Sequence, residues 1–297
     1  MDNIETGRAA VLAGHGCDED GPYLLVNDRV RNVQVRVSVR GRTFSLRRLP
    51  VRRCVGRHDL ETHAKMPCPL DVELPPESKV TVCPACQEAT GFNPSFYHTD
   101  FVSPQQRAYN AEPHIAYLAY FSPAHVKAGI TAASRGVRRL LEQGARAGRI
   151  VGRFDDAYAA RELEAALCAQ PGILETMRAS KKVDLLVNER FDFVEAKAVL
   201  DDVVERLGLE GAEPAQDLSP HYFGGPSPDC HDLQVPEGHD GECGGRCIGM
   251  VGGALVFQQE GTNYVVSVKE WESHEVELLL DEVVCTYDFA PQQFSLF

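Results

Sequence analysis

The sequence predicts an α+β protein of several parts: a central α/β module flanked by a zinc-bearing N-terminal β region and a small C-terminal β domain. Three observations lead there. The stretch VQVRVSVRGRTFSLRRL alternates apolar and polar residues as half-buried strands do. Between residues 114 and 167, two short apolar runs are followed by stretches of helical spacing. Towards the C-terminus, CIGMVGGALVF, TNYVVSVKEW and HEVELLLDEVVC read as three strands separated by turn signals.

The chain has 297 residues, enough for two domains or a few small ones. The expected parts are a basic β region with a zinc site at 1–110, the module at 111–183, a helix at 184–208 and a linker at 209–229. A small β domain with a possible second metal site at 230–287 and a flexible tail at 288–297 complete the chain. With 43% hydrophobic and 25% charged residues the composition is that of an ordinary soluble protein. No apolar run approaches the roughly 18 residues of a membrane span. The opening MDNIETGRAA lacks a basic-then-apolar signal pattern, so a cytoplasmic protein with no membrane partner is expected.

The net charge of -13 is unevenly spread. Residues 29–57 hold ten arginines and no acidic residue, whereas from Val183 onward 23 Asp or Glu face 5 Lys or Arg, a balance of -18. The basic stretch is expected to lie along a phosphate backbone of DNA or RNA, through Arg47, Arg48, Arg52 and Arg53, while the acidic half faces elsewhere. The plainer reading is a solvated strand surface.

Next come the cysteines. Cys83-Pro84-Ala85-Cys86 is a CxxC knuckle preceded by Cys54 and Cys68, with His58 and His63 between them. A tight CxxC turn delivers two thiolates to one ion, and zinc takes four such ligands in a tetrahedron. In a cytosolic chain such cysteines more often ligate metal than form disulfides. A structural zinc on Cys54, Cys68, Cys83 and Cys86 is expected, with either histidine able to replace one cysteine. Residues 87–113 read as an ordered connection whose His98, Tyr109 and Asn110, among others, lie close before the module and can line a shared cleft.

The module opens with a hairpin, residues 115–121 and 126–131, around the Pro-containing turn SPAH. Ser134 can cap a helix carrying Val137, Leu140, Leu141 and Ala145, which Gly144 or Gly148 can end. Asp155 or Asp156 can cap a second helix with Leu163 and Leu167 on one face. On these residues the segment resembles the GIY-YIG nuclease superfamily. Within it, the segment is similar to a bacterial family of unknown function with a Lys-Val-Gly-Ile-Thr strand and an Arg-Trp-Ile-Asp-Gln-Gly-Ala helix. The two tripeptides fall on Tyr117-Leu118-Ala119 and Lys127-Ala128-Gly129, and the helix motif on residues 139–145. The resemblance implies an arginine beside the scissile phosphate, Arg139 or in the alternative register Arg138. It also implies a glutamate holding catalytic Mg or Mn, Glu164 or alternatively Glu162. Lys127 stands where the second tripeptide carries tyrosine. Tyr117, Tyr120, His114 or a burial-shifted Lys127 are then the candidate bases.

Further on, an apolar stripe predicts a helix over 194–207, packing on a neighbouring domain. Residues 208–229, rich in Gly, Pro, Ser and acids, read as a linker. Cys230, His231, His239, Cys243 and Cys247 crowd into eighteen residues, and a second zinc on Cys230, Cys243, Cys247 and His239 is a candidate. The strands that follow are expected to form a small barrel or sheet, completed by N-terminal strands. The terminal Gln293-Phe294-Ser295-Leu296-Phe297 resembles the bacterial sliding-clamp-binding pentapeptide, whose Leu-Phe end fills an apolar groove. Two functional expectations result. One is a metal-dependent DNA endonuclease of GIY-YIG type recruited to replication or repair sites by the sliding clamp. The other is a non-catalytic, zinc-stabilised nucleic-acid-binding adaptor that binds the same clamp.

Overall fold

The computed structural model describes residues 9–18, 20–93, 96, 101–236, 239 and 241–284. The N-terminal strands are β1 (Ala9–Asp18), β2 (Gly21–Asp28), β3 (Val33–Ser38) and β4 (Thr43–Arg53). The short strands β5 (Arg57–His58), β6 (Lys65–Met66) and β7 (Glu73–Leu74) follow, then helices α1 (Pro84–Thr90) and α2 (Pro104–Asn110). The centre of the chain comprises β8 (His114–Ser122), β9 (His125–Ala132), α3 (Arg138–Gln143), β10 (Ala147–Phe154), α4 (Ala157–Cys168) and β11 (Ile173–Leu174). It continues through α5 (Ala179–Asn188), α6 (Phe193–Arg206), β12 (Gln216–Asp217) and α7 (Ser219–Phe223). The chain returns through β13 (Leu233–Gln234), β14 (Glu242–Val251), β15 (Ala254–Gln259), β16 (Thr262–Ser267) and β17 (His274–Leu280).

The two flanks, bounded as separate parts at 1–110 and 230–287 but with the C-terminal strands expected to be completed by N-terminal ones, share one sheet of order β13-β16-β15-β14-β4-β17-β1-β2-β3, with β7 beside β4. β4 is its seam, antiparallel to β14 on one side and β17 on the other. The sheet is rolled, because Val37 near one edge and Val266 near the other belong to a single buried core with Leu12, Phe44, Phe257 and Leu278.

The central sheet has the order β11-β9-β8-β10-β12. Every residue of β8 is buried, which requires cover on both faces. Ala116, Leu118 and Tyr120 pack with Leu167 of α4 and Ala196, Leu200 and Val203 of α6. Tyr117, Ala119 and Phe121 face the opposite way, onto Leu140 and Leu141 of α3, Leu185 and Leu186 of α5, and Val256 and Val265 of the large sheet. Strand β15 therefore serves two cores, Leu255 and Phe257 inside the rolled sheet and Val256 against the central unit. The two units meet closely where the α3 C-cap Gly144 (φ 73°) faces Gly252 (φ 56°): a Cβ on Gly252 would stand 2.9 Å from the Gly144 Cα.

The hairpin and the Asp156 cap, whose side chain accepts from the Ala159 N–H at 2.8 Å, are as the sequence predicts. Gly144 ends α3, whereas Gly148 lies in β10, a strand for which the sequence reading has no place. Residues 184–208 belong to two helices, α5 and α6, rather than one. Residues 209–229 are a packed connection and not a linker. The Glu213 N–H donates to Ile150 O at 2.9 Å, β12 pairs with β10, and fully buried Tyr222 donates to Ala145 O at 2.8 Å. Among the described residues no helix is long and apolar enough to cross a membrane.

Candidate metal centre and phosphate cleft

Pro84 at the first position of α1 leaves Cys83 as the N-cap and Cys86 in the first turn, so both knuckle thiols sit at the start of one helix. Cys54 leaves the end of β4 and Cys68 follows β6, and all four are buried. Their sulfurs lie within 4.8 Å of one another, and Cys68 Sγ is 3.9 Å from Cys83 Sγ. Ligands about 2.3 Å from a tetrahedral zinc stand roughly 3.8 Å apart. The Gly56 and Cys83 N–H groups donate to Cys54 Sγ at 3.4 and 3.1 Å. Burial pushes the Cys54 thiol up to about 11 and raises Cys86 as well; a bound cation reverses this by stabilising thiolate. The cluster can hold a metal ion such as zinc, and four protein ligands would leave no open position for a water. His58 and His63 are not members. Their rings are 6.2 Å apart, and His63 Nε2 lies 3.3 Å from Ser134 Oγ.

The second set does not assemble. Cys243 and Cys247 both lie on β14 and belong to the rolled sheet's core with Leu46 and Phe257. Four residues of extended chain span roughly 13 Å, too far for two thiolates on one ion. His239 lies against Trp271, ring centroids 6.2 Å apart and tilted by 37°, and among the described residues Cys230 groups only with its neighbours Asp229 and His231.

Helix α3 presents Arg138 and Arg139 about 100° apart. Arg138 is exposed beside Asp18, Asp20 and His221, whereas Arg139 turns into a cleft between the central unit and the large sheet. One turn on, Gln143 Nε2 donates to the Tyr117 hydroxyl. Burial raises the Tyr117 pKa; Arg139 opposes this by charge and hydrogen bond, and Glu164 adds to it. Lys127 Nζ lies 5.9 Å from the centre of the Tyr117 ring and donates to Ala128 O at 2.9 Å. Burial lowers its pKa, Glu164 opposing and Arg139 adding to the effect. Tyr117, Lys127, Arg139 and Glu164 thus feel one another's charge, but they do not share an open surface. Tyr117 is 1% exposed, and Glu164, 6% exposed, is engaged by Arg161 on its own helix. Glu162 is exposed and Tyr120 packs on the opposite face of the sheet near Phe191, whereas His114 lines a pocket together with Arg161 and Glu164, apart from the Arg139 cleft.

The cleft beside Arg139 encloses about 390 Å³. Lys65, Arg139, Lys182 and Lys269 line it against two carboxylates, Glu142 and Glu272. Glu272 is taken by Lys269 and by His15 Nδ1 at 3.1 Å; Glu142 is taken by Arg135, with Arg139 at 3.7 Å. Lys182 donates to Gln143 O at 2.7 Å. Burial, reinforced by Lys127, Arg139 and Lys269, pushes its amine down to about 8. Burial also lowers Lys65. Sequence reasoning missed Lys65, Lys182 and Lys269, which come from three distant segments with no common local pattern.

The arginine-rich stretch is arranged differently from the expectation. β4 and β17 are neighbours, with Arg47 opposite Glu277 in the register. Arg47 Nε donates to Glu277 at 2.8 Å, Arg53 pairs with Glu275, and Arg42 with Asp281. Arg52 is buried and donates to Ser273 Oγ at 2.9 Å and to the carbonyls of Ser78 and Val80. Arg48 alone of the four predicted contacts is exposed and without an ion-pair partner among the described residues. Acidic residues on and next to β17 thus face arginines of the basic stretch, and much of its charge is neutralised within the large sheet.

The pentapeptide Gln293–Phe297 lies outside the described residues. No curated protein and no solved structure matches the chain. Residues 95–276, which hold the central unit and most of strands β13 to β17, match the model of a family described as protein of unknown function, DUF2797, and the chain belongs to that family.

Proposed function

We propose that the chain is a zinc-stabilised nucleic-acid-binding protein that takes strand phosphate in the cleft beside Arg139 without cutting it. The observation that carries this reading is the convergence of Arg139, Lys65, Lys182 and Lys269 on one cleft of a chain whose net charge is -13. Cations held together at partial burial repel one another, and an anion relieves that repulsion. The resemblance of the module to GIY-YIG nucleases, with Arg139 at the phosphate-facing helix position, makes phosphodiester the anion of choice. Hydrolysis is the weaker reading, because Glu164 is engaged by Arg161 and Lys127 occupies the second tyrosine position. Zinc on the four cysteines would hold the segment after β4 in place. The C-terminal pentapeptide would supply recruitment through the sliding clamp.

The test is fluorescence anisotropy with single-stranded, duplex and branched DNA, and with RNA, beside a cleavage assay in Mg²⁺ or Mn²⁺. Arg139→Ala and Lys182→Ala are expected to weaken binding about tenfold each, the loss of one charge-assisted contact. No product is expected from any substrate. Cleavage by the wild type that is lost in both Arg139→Ala and Glu164→Ala would replace this reading by the nuclease. A Leu296→Ala, Phe297→Ala double mutant that keeps full affinity for purified clamp would remove the recruitment step.

A further inference from the structure

A second, smaller pocket lies where α2 ends, between the close of β9 and the start of α4, and encloses about 160 Å³. Aromatic side chains line it beside the Arg161–Glu164 ion pair. Tyr109 meets His114 edge to face with ring centroids 5.1 Å apart, and Phe92 meets Tyr109 in the same way at 6.5 Å. The wall is fixed from below: buried Gln106 clasps the Asn93 backbone, accepting from its N–H at 2.7 Å and donating to its carbonyl at 2.9 Å.

Two polar side chains line the same space without a partner among the described residues. Asn110 is 1% exposed and neither its amide oxygen nor its amide nitrogen has a hydrogen-bond partner among them, and the same holds for the hydroxyl of Thr131, 3% exposed. Buried polar groups left in that state are costly and rare, and an amide that lacks both bonds is an edge made for a ligand. Beside them, His114 Nδ1 lies 2.8 Å from Glu112 O. A carbonyl only accepts, so Nδ1 carries the proton and Nε2 is left as an acceptor.

We propose that this pocket takes a single pyrimidine ring, either of a free nucleoside or of a base extruded from a strand. A cavity on the order of 150 Å³ holds one benzene-sized ring, so the space fits one ring and leaves any sugar outside. The aromatic walls offer a face and an edge for a flat ring. A side-chain amide presents a donor beside an acceptor, the complement of a pyrimidine edge, and Thr131 adds a third polar contact. The pocket goes beyond the phosphate cleft and shares none of its lining residues.

The full chain is titrated by calorimetry with cytidine, uridine, thymidine, adenosine and guanosine, and with oligonucleotides carrying either a pyrimidine or an abasic site at one position. Saturable binding of at least one pyrimidine nucleoside is expected, weakened about tenfold or more in Asn110→Leu and in Thr131→Val. Both variants keep the volume of the side chain and are expected to retain or raise the melting temperature, since an unpaired polar group is removed. A strand that binds more tightly than its abasic counterpart, with the difference lost in Asn110→Leu, identifies an extruded base. Nucleosides that bind with no gain from the strand identify a free one. Arg139→Ala lowers strand affinity through the cleft but leaves nucleoside binding intact, so failure of the cleft and failure of the pocket are separable. The proposal is overturned if only purines bind, if no nucleoside or pyrimidine-bearing strand binds in an Asn110-dependent way, or if Asn110→Leu is stabilised with every affinity unchanged.

Discussion

Tyr117 covers Gly129, its partner in the register between β8 and β9, so closely that a Cβ at Gly129 would lie 2.4 Å from the tyrosine hydroxyl. The ring has nowhere to go: it is 1% exposed and its hydroxyl is held by Gln143. Gly129→Ala is therefore expected to destabilise the central unit by about 1–3 kcal/mol, the usual cost of overpacking. Tyr117→Phe keeps the ring and removes one hydrogen bond, for a loss of about 1 kcal/mol. Urea denaturation of the two variants checks the order, and a Gly129→Ala midpoint equal to the wild type would show that the ring is free to move.

The Tyr117 and Gly129 pair also marks what was legible in the sequence. The hairpin around SPAH and the capped helix after Asp156 carry local signals, turn chemistry and periodicity, and both stand where those signals put them. Strand β10 has no such signal. Its AGRIVGRF intersperses two arginines and two glycines among four apolar residues without a strand's alternation, and it becomes a strand because β8 offers it an edge. The pairing of β4 with β17 joins segments more than two hundred residues apart, and nothing local announces it. Likewise the cysteines: a CxxC turn brings two thiols together by itself, whereas C-x3-C on a strand points two thiols into a core. Asn110 could be suspected as a cleft residue, but its lack of a partner is a property of the packed chain.

Metal removal distinguishes the two cysteine sets. One zinc per chain is expected by elemental analysis, lost in Cys83→Ser and retained in Cys243→Ser and Cys247→Ser. The core around Cys54, Cys68, Cys83 and Cys86 adds only Leu74 as a buried residue, with Val72 and Val82 packed beside it. A structural zinc contributes about 10–16 kcal/mol of apparent binding free energy in isolated zinc-finger peptides, which far exceeds so small a core. Hydrogen exchange in residues 54–90 should therefore accelerate on chelation while β8 and β14 stay protected. Uniform loss of protection would mean that the metal supports the whole molecule.

The paired charges of β4 and β17 predict stability without binding. Glu275, 8% exposed, accepts from Arg29 at 2.9 Å and pairs with Arg53. Glu275→Gln takes away the buried carboxylate that Arg29 and Arg53 share, leaving Arg29 with Asp71 and Arg53 with the more exposed Asp71 and Glu73, and is expected to cost about 1–2 kcal/mol. Arg53→Ala is expected to lower stability similarly while changing oligonucleotide affinity by less than about twofold, because its charge is already satisfied inside the sheet. A large affinity loss in Arg53→Ala would return the N-terminal strands to the nucleic-acid surface.

Lys182 sets the pH dependence of the cleft. Burial first, then Lys127, Arg139 and Lys269, push its amine from the ordinary lysine range down to about 8. Below about pH 8 the folded chain carries the charge. From there up to the ordinary lysine range, the unfolded chain holds a proton that the folded chain has released, so this group makes stability rise with pH over that window. Anion binding has the opposite sign, since it favours the protonated amine: affinity for a phosphodiester strand is expected to fall as pH rises through about 8. A bound anion moves that inflection upward, because it stabilises the cation. Lys182→Met should remove both effects, leaving weaker binding that is flat across the window, and anisotropy titrations of wild type and variant from pH 7 to 9.5 read the difference directly. If the variant keeps the wild-type inflection, the titrating group is another, and Lys182 does not touch the strand.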